Sequence, residues 1–388
     1  MCYYYKLGQV PHKRHIQFRQ PDGSLYQEEL VSSLGFSGIY SNLYHVYAPT
    51  KIKRIEKPVA WTTTPIKDFP LQPIHLKTCL AKETGSDFLQ ARLPMLMNND
   101  VTINICNPSV RTMDYFYKNG EADELIFVHD GAGYLYSQFG KLRFEAGDYI
   151  VIPRTTIYKM EFDENPQPVR LLVVESASPI ETVSRYRNEL GQLLEHSPYC
   201  ERDIRPPAEL VTETEKGEYL VKIKKQGFLH QYVYEHSPLD VVGWDGFLYP
   251  YCISIHDFEP ITGRIHQPPP VHQMFQAAQF VICSFVPRLF DYHPLAIPAP
   301  YNHSNIDSDE VLYYVEGNFM SRKGVERASF TLHPGGLPHG PHPGTIEASI
   351  GKKETIELAV MIDTFKPLWV TQEALTFVDE NYPMSWNS

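Results

Sequence analysis

The sequence predicts an all-β protein made of short strands, with few helices. Its 388 residues include 25 tyrosines, 20 phenylalanines and 32 prolines, a composition typical of strands joined by tight turns. From about residue 100, runs of β-branched and aromatic residues alternate with glycine or proline. The order of strand, glycine turn and strand then occurs a second time, which indicates an internal repeat. We therefore expect two jelly-roll barrels of similar plan.

Three segments follow one another along the chain. Residues 1–95 are polar and rich in turn residues, and they predict an N-terminal arm with a β extension. Residues 96–240 predict the first barrel, and residues 241–388 predict the second. Apolar residues at i, i+3 and i+4 spacing indicate a helix near 181–195. The tail at 369–382 predicts another helix that closes the fold.

The strands expected in the first barrel share β-branched or aromatic residues and, in most cases, a flanking glycine or proline. They are residues 101–105, 124–131, 133–139, 141–145, 148–153, 169–175, 218–225 and 231–236.

The stretch from residue 301 to residue 340 carries side chains suited to a metal ion. His303, Glu310 and His339 supply two imidazoles and one carboxylate, the set that binds non-haem iron on one face and leaves other positions open. Glu310 begins an apolar run that ends at Gly317, and a Pro-Gly-Gly turn precedes His339. Two neighbouring strands and their turn can therefore bring the three ligands together. Asp309 is an alternative ligand, but only Glu310 keeps the E-x6-G spacing to Gly317.

The first barrel carries a second copy of this pattern without its ligands. Glu124 and Gly131 repeat the E-x6-G spacing. Tyr158 stands where the copy of His339 is expected, and no histidine precedes Glu124 at the right distance. We therefore expect the first barrel to be structural and free of metal.

Charge and cysteine content exclude several kinds of partner. The net charge of -11 comes without basic clusters, which argues against binding to nucleic acid or an anionic membrane. No apolar run is long enough to span a bilayer. The six cysteines are scattered without a CxxC pair, a pattern typical of reduced thiols in a cytoplasmic protein.

Two motifs carry a resemblance to known proteins. The E-x6-G pattern followed by P-x-G-x-x-H resembles the two motifs of the cupin barrels, with Asn305 where the first motif usually has a second histidine. Several segments resemble the short bacterial form of the homogentisate 1,2-dioxygenase family, over essentially the whole chain. They include HKRHIQFRQPDGSLY, DVVGWDG, PPPVHQMF, FVICSFVPR, HSNIDSDE and LPHGPHPG.

This resemblance implies a two-cupin protein that binds Fe(II) through His303, Glu310 and His339. It implies cleavage of the homogentisate ring by O₂ to maleylacetoacetate, a step of tyrosine and phenylalanine breakdown. It also implies His272 as the active-site base. The family forms trimers that pair into hexamers, so the resemblance implies a homo-oligomer.

The resemblance also implies which residues contact the substrate. His333, Asn305 and the ligand His339 match positions that line the pocket. Phe319 stands where the longer members carry a substrate-contacting tyrosine, and Tyr313 or Tyr314 is the candidate substitute.

Other functions stay open on the sequence. A related cupin dioxygenase acting on gentisate or another hydroquinone would use the same ligands. A metal-binding cupin isomerase or a non-catalytic cupin is a further alternative, although an isomerase would be expected to keep a histidine at Asn305.

Overall fold

The computed structural model describes residues 3–164, 168–317, 319, 322 and 324–387. Strands dominate this part of the chain, which confirms the predicted all-β class. The strands are β1 (Tyr5–Gly8), β2 (Gln27–Ser32), β3 (Tyr40–His45), β4 (Ile52–Ala60), β5 (Pro65–Ile66), β6 (Ile74–Leu76), β7 (Arg92–Met97), β8 (Val101–Cys106), β9 (Phe116–Asn119), β10 (Asp123–Asp130), β11 (Gly133–Ser137), β12 (Gly140–Phe144), β13 (Asp148–Ile152), β14 (Tyr158–Phe162), β15 (Arg170–Ser176), β16 (Glu181–Thr182), β17 (Lys216–Lys225), β18 (Phe228–His236), β19 (Val241–Gly246), β20 (Tyr251–Ser254), β21 (Gln273–Gln276), β22 (Phe280–Phe285), β23 (Arg288–Leu289), β24 (Asp309–Glu316), β25 (Phe330–His333), β26 (Glu354–Thr355), β27 (Leu358–Thr364) and β28 (Trp369–Thr371).

The helical segments are short. The α-helix α1 spans Thr345–Ser349. The 3-10 helices in the described residues are Leu34–Phe36, Thr78–Leu80, Ser184–Tyr186, Glu201–Asp203, Ile255–Asp257, Pro269–His272, Glu373–Phe377 and Tyr382–Asn387. No helix within the described ranges is long and apolar enough to cross a membrane.

Three large sheets form successive layers. The first has the order β12-β11-β14-β9-β17-β18-β4, the middle one β20-β13-β10-β15-β8-β7-β28-β5, and the third β16-β21-β22-β27-β24-β25-β6. On β10, Ile126 and Val128 pack in one core with the first sheet, whereas Leu125 and Phe127 pack in another core with the third. Alternate residues of a strand point to opposite faces, so the middle sheet is buried on both sides.

A smaller sheet of order β1-β19-β3-β2 joins the N-terminal arm to the rest of the chain. Strands also cross the boundaries expected from the sequence, because β6 from the arm pairs with β25 and β20 pairs with β13. The division into residues 1–95, 96–240 and 241–388 stays a proposal, in which strands of one segment pair with strands of another.

The repeat is visible in the backbone. Gly131 and Gly317 end equivalent strands, and both have a φ of +107°, a conformation that glycine adopts without the steric cost of a Cβ. A Cβ on Gly317 would lie 3.0 Å from Cα of Glu357. The E-x6-G spacing therefore places the glutamate and the turn at matching points of the two halves.

The helix expected near 181–195 does not form. Only Ser184–Tyr186 makes a 3-10 turn, and the chain then folds back so that Arg187 bridges Leu193. The side chain of Asn188 accepts hydrogen bonds from the backbone N–H groups of Leu190 and Gln192. Such local hydrogen bonds compete with the backbone hydrogen bonds of a helix. They explain why the apolar spacing predicted a helix that does not form. The tail likewise forms 3-10 helices from residue 373 onwards rather than one α-helix.

The third sheet presents the candidate site on its outer face. Along β24, Val311 and Tyr313 point into the core shared with the middle sheet. Glu310, Leu312 and Tyr314 point the other way and line a cavity. One strand thus supplies both the packing and the functional face.

Candidate metal centre

His303, Glu310 and His339 converge at one end of this outer face. Oε2 of Glu310 lies 3.4 Å from Nε2 of His303 and 3.5 Å from Nε2 of His339. The ligand atoms of the three residues all lie within 4.8 Å of one another. Two imidazoles and a carboxylate at such spacing can bind a divalent metal ion.

Different elements position the three side chains. Glu310 stands near the start of β24, whereas His339 follows the turn after β25 and His303 lies in a loop. His303 and His339 hold each other through two backbone hydrogen bonds of 2.8 and 2.9 Å. Gly336 has a φ of +81°, and its N–H donates to the carbonyl of Asn305. The turn that carries His339 is therefore tied to the loop that carries His303.

The alternative ligand, Asp309, is engaged elsewhere. Its carboxylate accepts hydrogen bonds of 2.8 Å from the backbone N–H groups of Gly335 and Leu368. Strand alternation turns it away from the two histidines. The structure thus brings Glu310, and not Asp309, to His303 and His339.

Both histidines present Nε2 to Glu310. Nδ1 of His303 lies 3.2 Å from the carbonyl of Tyr301, and Nδ1 of His339 lies 3.0 Å from the carbonyl of Leu337. A carbonyl only accepts hydrogen bonds, so each Nδ1 carries a proton, and Nε2 offers its lone pair to a metal ion whenever the ring is in its neutral form. The buried Nε2 of His339 makes no hydrogen bond in the described part of the chain. These features fit metal ligation, in which the second ring nitrogen is held by such a bond.

The electrostatics of Glu310 also fit a cation site. Burial by itself would raise the pKa of Glu310, but hydrogen bonds from His303 and His333 and the nearby His339 outweigh it and hold the pKa well below its usual value. The hydrogen bond to Glu310 in turn raises the pKa of His303. Glu310 is therefore an ionised carboxylate at neutral pH.

A cavity of about 730 Å³ opens beside the cluster. Its lining includes His303 and Glu310 together with a largely apolar group of side chains, among them Phe285, Leu312, Tyr314, Phe319 and Met361. The volume lies in the range of small-molecule sites. An aromatic ligand beside the metal centre would be enclosed by these rings and aliphatic groups.

His272 lines the same cavity and is buried. Its ring lies 4.7 Å from the ring of Phe285, centroid to centroid. Burial, together with the positive charge of Arg288, lowers the pKa of His272 to about 3. A hydrogen bond with the backbone of Ser284 raises the pKa but does not offset these effects. Nδ1 has no hydrogen-bond partner in the described residues. The ring is therefore neutral at neutral pH, whereas an ordinary histidine titrates near 6.5.

The residues expected to contact substrate divide into two groups. Phe319 lines the cavity, and so does Tyr314. Tyr313 does not, because it faces the first half of the chain, where its hydroxyl lies 2.6 Å from Nδ1 of His129. Of the two candidate tyrosines, strand alternation therefore places Tyr314, and not Tyr313, in the cavity wall.

His333 and Asn305 also lie outside the cavity lining. His333 is completely buried behind Glu310, with Nδ1 2.9 Å from Oε1 of Glu310. Burial lowers the pKa of His333 to about 4, although Glu310 opposes this. Asn305 is half-buried in the loop after His303, where its backbone supports the turn. His333 therefore contacts the carboxylate of Glu310 and does not line the cavity, so its contact with substrate stays a prediction.

Two charged residues near the cavity were missed by the sequence reasoning. Asp363 pairs in register with Glu310, and burial, followed by the charge of Glu310, raises its pKa to about 7. Arg288 lines the cavity half-buried and forms no ion pair within the ranges that the structure describes. Strand alternation along β27 places Asp363 on the same face as Ala359 and Met361. Only the pairing of β24 with β27 shows that Glu310 is its neighbour.

The matching point of the first half holds an arginine. The guanidinium of Arg92 contacts Glu124, lies 2.7 Å from Oε1 of Glu175 and donates to the hydroxyl of Tyr158 at 2.9 Å. Tyr158 donates to Oε2 of Glu124 at 2.6 Å. By register, Glu124 pairs with Glu175 as Glu310 pairs with Asp363. A guanidinium thus fills the position that a metal ion would occupy in the second half.

Replacing Arg92 with methionine is expected to lower the free energy of unfolding by about 3–5 kcal/mol, because the buried Glu124 loses its cation and Glu175 keeps only Lys224. Metal content per chain is expected to stay unchanged. Denaturant unfolding and metal analysis of one preparation measure both. Arg264→Met removes the same charge from an exposed position and serves as the control. Loss of metal from Arg92→Met alone would show that the first half also contributes to a metal site.

Comparisons with known proteins relate this chain to one enzyme family. Residues 72–255 match the family described as "Homogentisate 1,2-dioxygenase N-terminal". A protein of Saccharolobus solfataricus named "Putative dioxygenase" is 40% identical over 388 residues, which cover 100% of this chain and 99% of the relative. The matched family range ends before His272, so it covers none of the candidate metal ligands.

Two further relatives are more distant. Homogentisate 1,2-dioxygenase of Bradyrhizobium diazoefficiens is 26% identical over 411 residues, covering 98% of this chain and 90% of the relative. The Legionella pneumophila enzyme of the same name is 27% identical over 289 residues, covering 71% of this chain and 64% of its own length. Among solved structures, a cupin 2 conserved barrel domain protein from Leptotrichia buccalis aligns over 82% of this chain and 100% of its own, with a TM-score of 0.31 and 10% identity.

Proposed function

This chain belongs to the homogentisate 1,2-dioxygenase family, and from that premise we propose that it is an Fe(II)-dependent enzyme that opens the ring of homogentisate with O₂ to give maleylacetoacetate. The family consists of iron-dependent ring-cleaving dioxygenases. The observation that carries the proposal is the convergence of His303, Glu310 and His339 at one end of an apolar cavity. Bound there, iron would supply Lewis acidity toward a ring hydroxyl and an open position for O₂.

His272 is the base in this proposal. A neutral imidazole with an unpartnered Nδ1 in the cavity wall can accept the proton of a phenolic hydroxyl placed within hydrogen-bond reach. Removal of that proton makes the aromatic ring more electron-rich and therefore easier to oxidise. The low pKa of His272 keeps the ring in its accepting form throughout the neutral range.

The other cavity residues bind and shield the substrate. Phe285, Phe319 and Met361 offer apolar surface to an aromatic ring and keep bulk water from the reacting groups. Arg288 offers a positive charge without an ion pair in the described residues, which supports a substrate that carries a carboxylate. Hydrogen bonds between such charged groups are stronger than neutral ones.

Gentisate or another hydroquinone is the alternative substrate. Phe319 carries no hydroxyl at the position where the longer family members have a tyrosine, and this difference favours a changed contact to the substrate's side chain. Such a substrate would use the same metal ligands and the same base.

Oxygen uptake by the Fe(II)-loaded protein tests the proposal. We expect one O₂ consumed per homogentisate, with slower uptake on gentisate and on unsubstituted hydroquinone. Faster oxygen uptake on gentisate would show that gentisate, and not homogentisate, is the preferred substrate. No uptake with any of the three by a protein that holds stoichiometric iron would contradict a ring-cleaving function.

We also propose that the protein is a cytoplasmic homo-oligomer, a trimer or hexamer. The cysteines in the described part of the chain are free thiols, which supports a reducing compartment. The arm exposes Leu34 and Phe36, each at 75%, and exposed apolar groups of this size favour contact with another copy. A monomer mass by light scattering at working concentration would contradict the oligomer.

A further inference from the structure

The two oxygens of Glu310 have different partners. Oε2 faces His303 and His339 on the cavity side. Oε1 faces away from the cavity and lies 2.9 Å from Nδ1 of His333. Nε2 of the same ring lies 3.1 Å from the hydroxyl of Tyr382. A continuous chain of hydrogen bonds therefore runs from Tyr382 through His333 to the carboxylate.

The direction of these bonds follows from donor and acceptor chemistry. A carboxylate oxygen only accepts hydrogen bonds, so Nδ1 of His333 carries a proton and donates a hydrogen bond to Oε1 of Glu310. With the ring neutral, Nε2 keeps its lone pair, and the hydroxyl of Tyr382 donates to it. Each group in the chain is thus satisfied in one orientation, which holds the plane of the Glu310 carboxylate. A free carboxylate on β24 would instead rotate about its terminal torsion.

The segment that carries Tyr382 is itself anchored around the metal centre. In the 3-10 helix Tyr382–Asn387, the indole N–H of Trp386 donates to the carbonyl of Gly340 at 3.0 Å. The hydroxyl of Ser385 lies 2.9 Å from Nε2 of His342. Both contacts fall on the loop immediately after His339. The segment therefore supports the loop of one ligand and, through His333, the side chain of another.

A ring stack links the two supports. The rings of His333 and His339 lie 4.6 Å apart, centroid to centroid, with planes inclined by 12°. Tyr382 and His333 are both buried, so water does not compete for these bonds. The arrangement matches the general rule that partners behind metal ligands fix the ligands' orientation and tune affinity.

We propose that Tyr382 and His333 are positioning residues that orient Glu310 toward the metal, so that residues 382–387 form part of the metal centre. This inference rests on the proposed function only in requiring that His303, Glu310 and His339 hold a metal ion. It requires neither homogentisate as the substrate nor any particular reaction.

Cobalt(II) titration of Tyr382→Phe tests the inference. The substitution keeps the aromatic ring and removes the hydroxyl. The ring of His333 is then no longer held by a hydrogen bond at Nε2. We expect Co²⁺ affinity to fall about 10–100-fold, and the visible absorption of bound Co²⁺ to change because the carboxylate geometry changes. His333→Asn is expected to keep more affinity than His333→Leu, since an amide nitrogen can still donate to Glu310.

Tyr249→Phe is the matched control. Tyr249 is also buried, and its hydroxyl donates to the carbonyl of Tyr3 at 2.8 Å, far along the chain from the ligands. We expect this variant to lose stability without a change in Co²⁺ affinity or spectrum. Equal Co²⁺ affinity and identical spectra for Tyr382→Phe and the wild type would overturn the positioning role, even if melting temperature falls.

The outcomes separate this inference from the proposed function. A wild type that binds Co²⁺ but consumes no O₂ with homogentisate would remove the substrate assignment and leave the positioning test intact. A wild type that binds no Co²⁺ or Fe²⁺ would remove the metal centre, and both ideas with it.

Discussion

Single His303→Ala, Glu310→Ala and His339→Ala variants are expected to lose their iron, whereas the wild type purified without oxygen holds about one iron per chain. In the proposed site, three protein ligands would hold the ion. Each would carry a share of the affinity that the other two cannot replace, because only solvent or substrate could fill the other positions. Metal analysis after desalting measures the content directly, and oxygen uptake should fall to background in all three variants.

Two carboxylates on the same strand are the controls for this experiment. Glu316 is exposed at the far end of β24, so Glu316→Ala should keep full iron content. Asp309→Asn should also keep iron, although it weakens the bonds to Gly335 and Leu368 and costs stability. An iron-free Asp309→Asn beside an iron-loaded Glu310→Ala would show that the ligand assignment is wrong.

His272→Gln is expected to keep its iron and lower turnover by about 10²–10⁴-fold, the usual share of general-base catalysis. Glutamine keeps a polar side chain of similar length but cannot take a proton. Substrate binding should survive, because the metal and the cavity walls remain. Turnover, iron content and melting temperature measured on one preparation separate a catalytic role from a packing role.

The pH dependence provides an independent readout for His272. Its pKa is lowered to about 3 in the folded protein, whereas an unfolded histidine titrates near 6.5. Between these values the unfolded chain binds the extra proton, so this residue destabilises the fold as pH falls below about 6.5. The slope reaches about 1.4 kcal/mol per pH unit. His272→Gln should therefore lose less stability on acidification than the wild type.

The exposed His256 is the control, and His256→Gln should leave rate and acid sensitivity unchanged. The depressed pKa also means that the wild-type rate should show no acidic limb near pH 6.5 from His272. A His272→Gln enzyme with full iron, normal turnover per folded molecule and unchanged acid sensitivity would exclude the residue from the mechanism.

Local periodicity was enough to predict the strands. The runs at 124–131 and 169–175 form β10 and β15 within one or two residues of their predicted ends, because short continuous apolar runs form strands that are buried on both faces. The same reasoning failed at 181–195, where side-chain bonds of Asn188 and a left-handed Gly191 replaced the helix. Such bonds act over a few residues and are not visible in apolar spacing.

The sequence by itself determined the all-β class, the repeat, and the spacing that joins Glu310 to Gly317, because each depends on residues close together in the chain. Only the tertiary structure decided that Tyr314 and not Tyr313 lines the cavity. It also decided that His333 stands behind Glu310, next to Tyr382, 49 residues further on, and that Arg92 occupies the matching point of the first half. Burial and contacts between distant strands set these roles and the low pKa of His272. Neither can be read from composition or periodicity, since both arise only when separate sheets pack together.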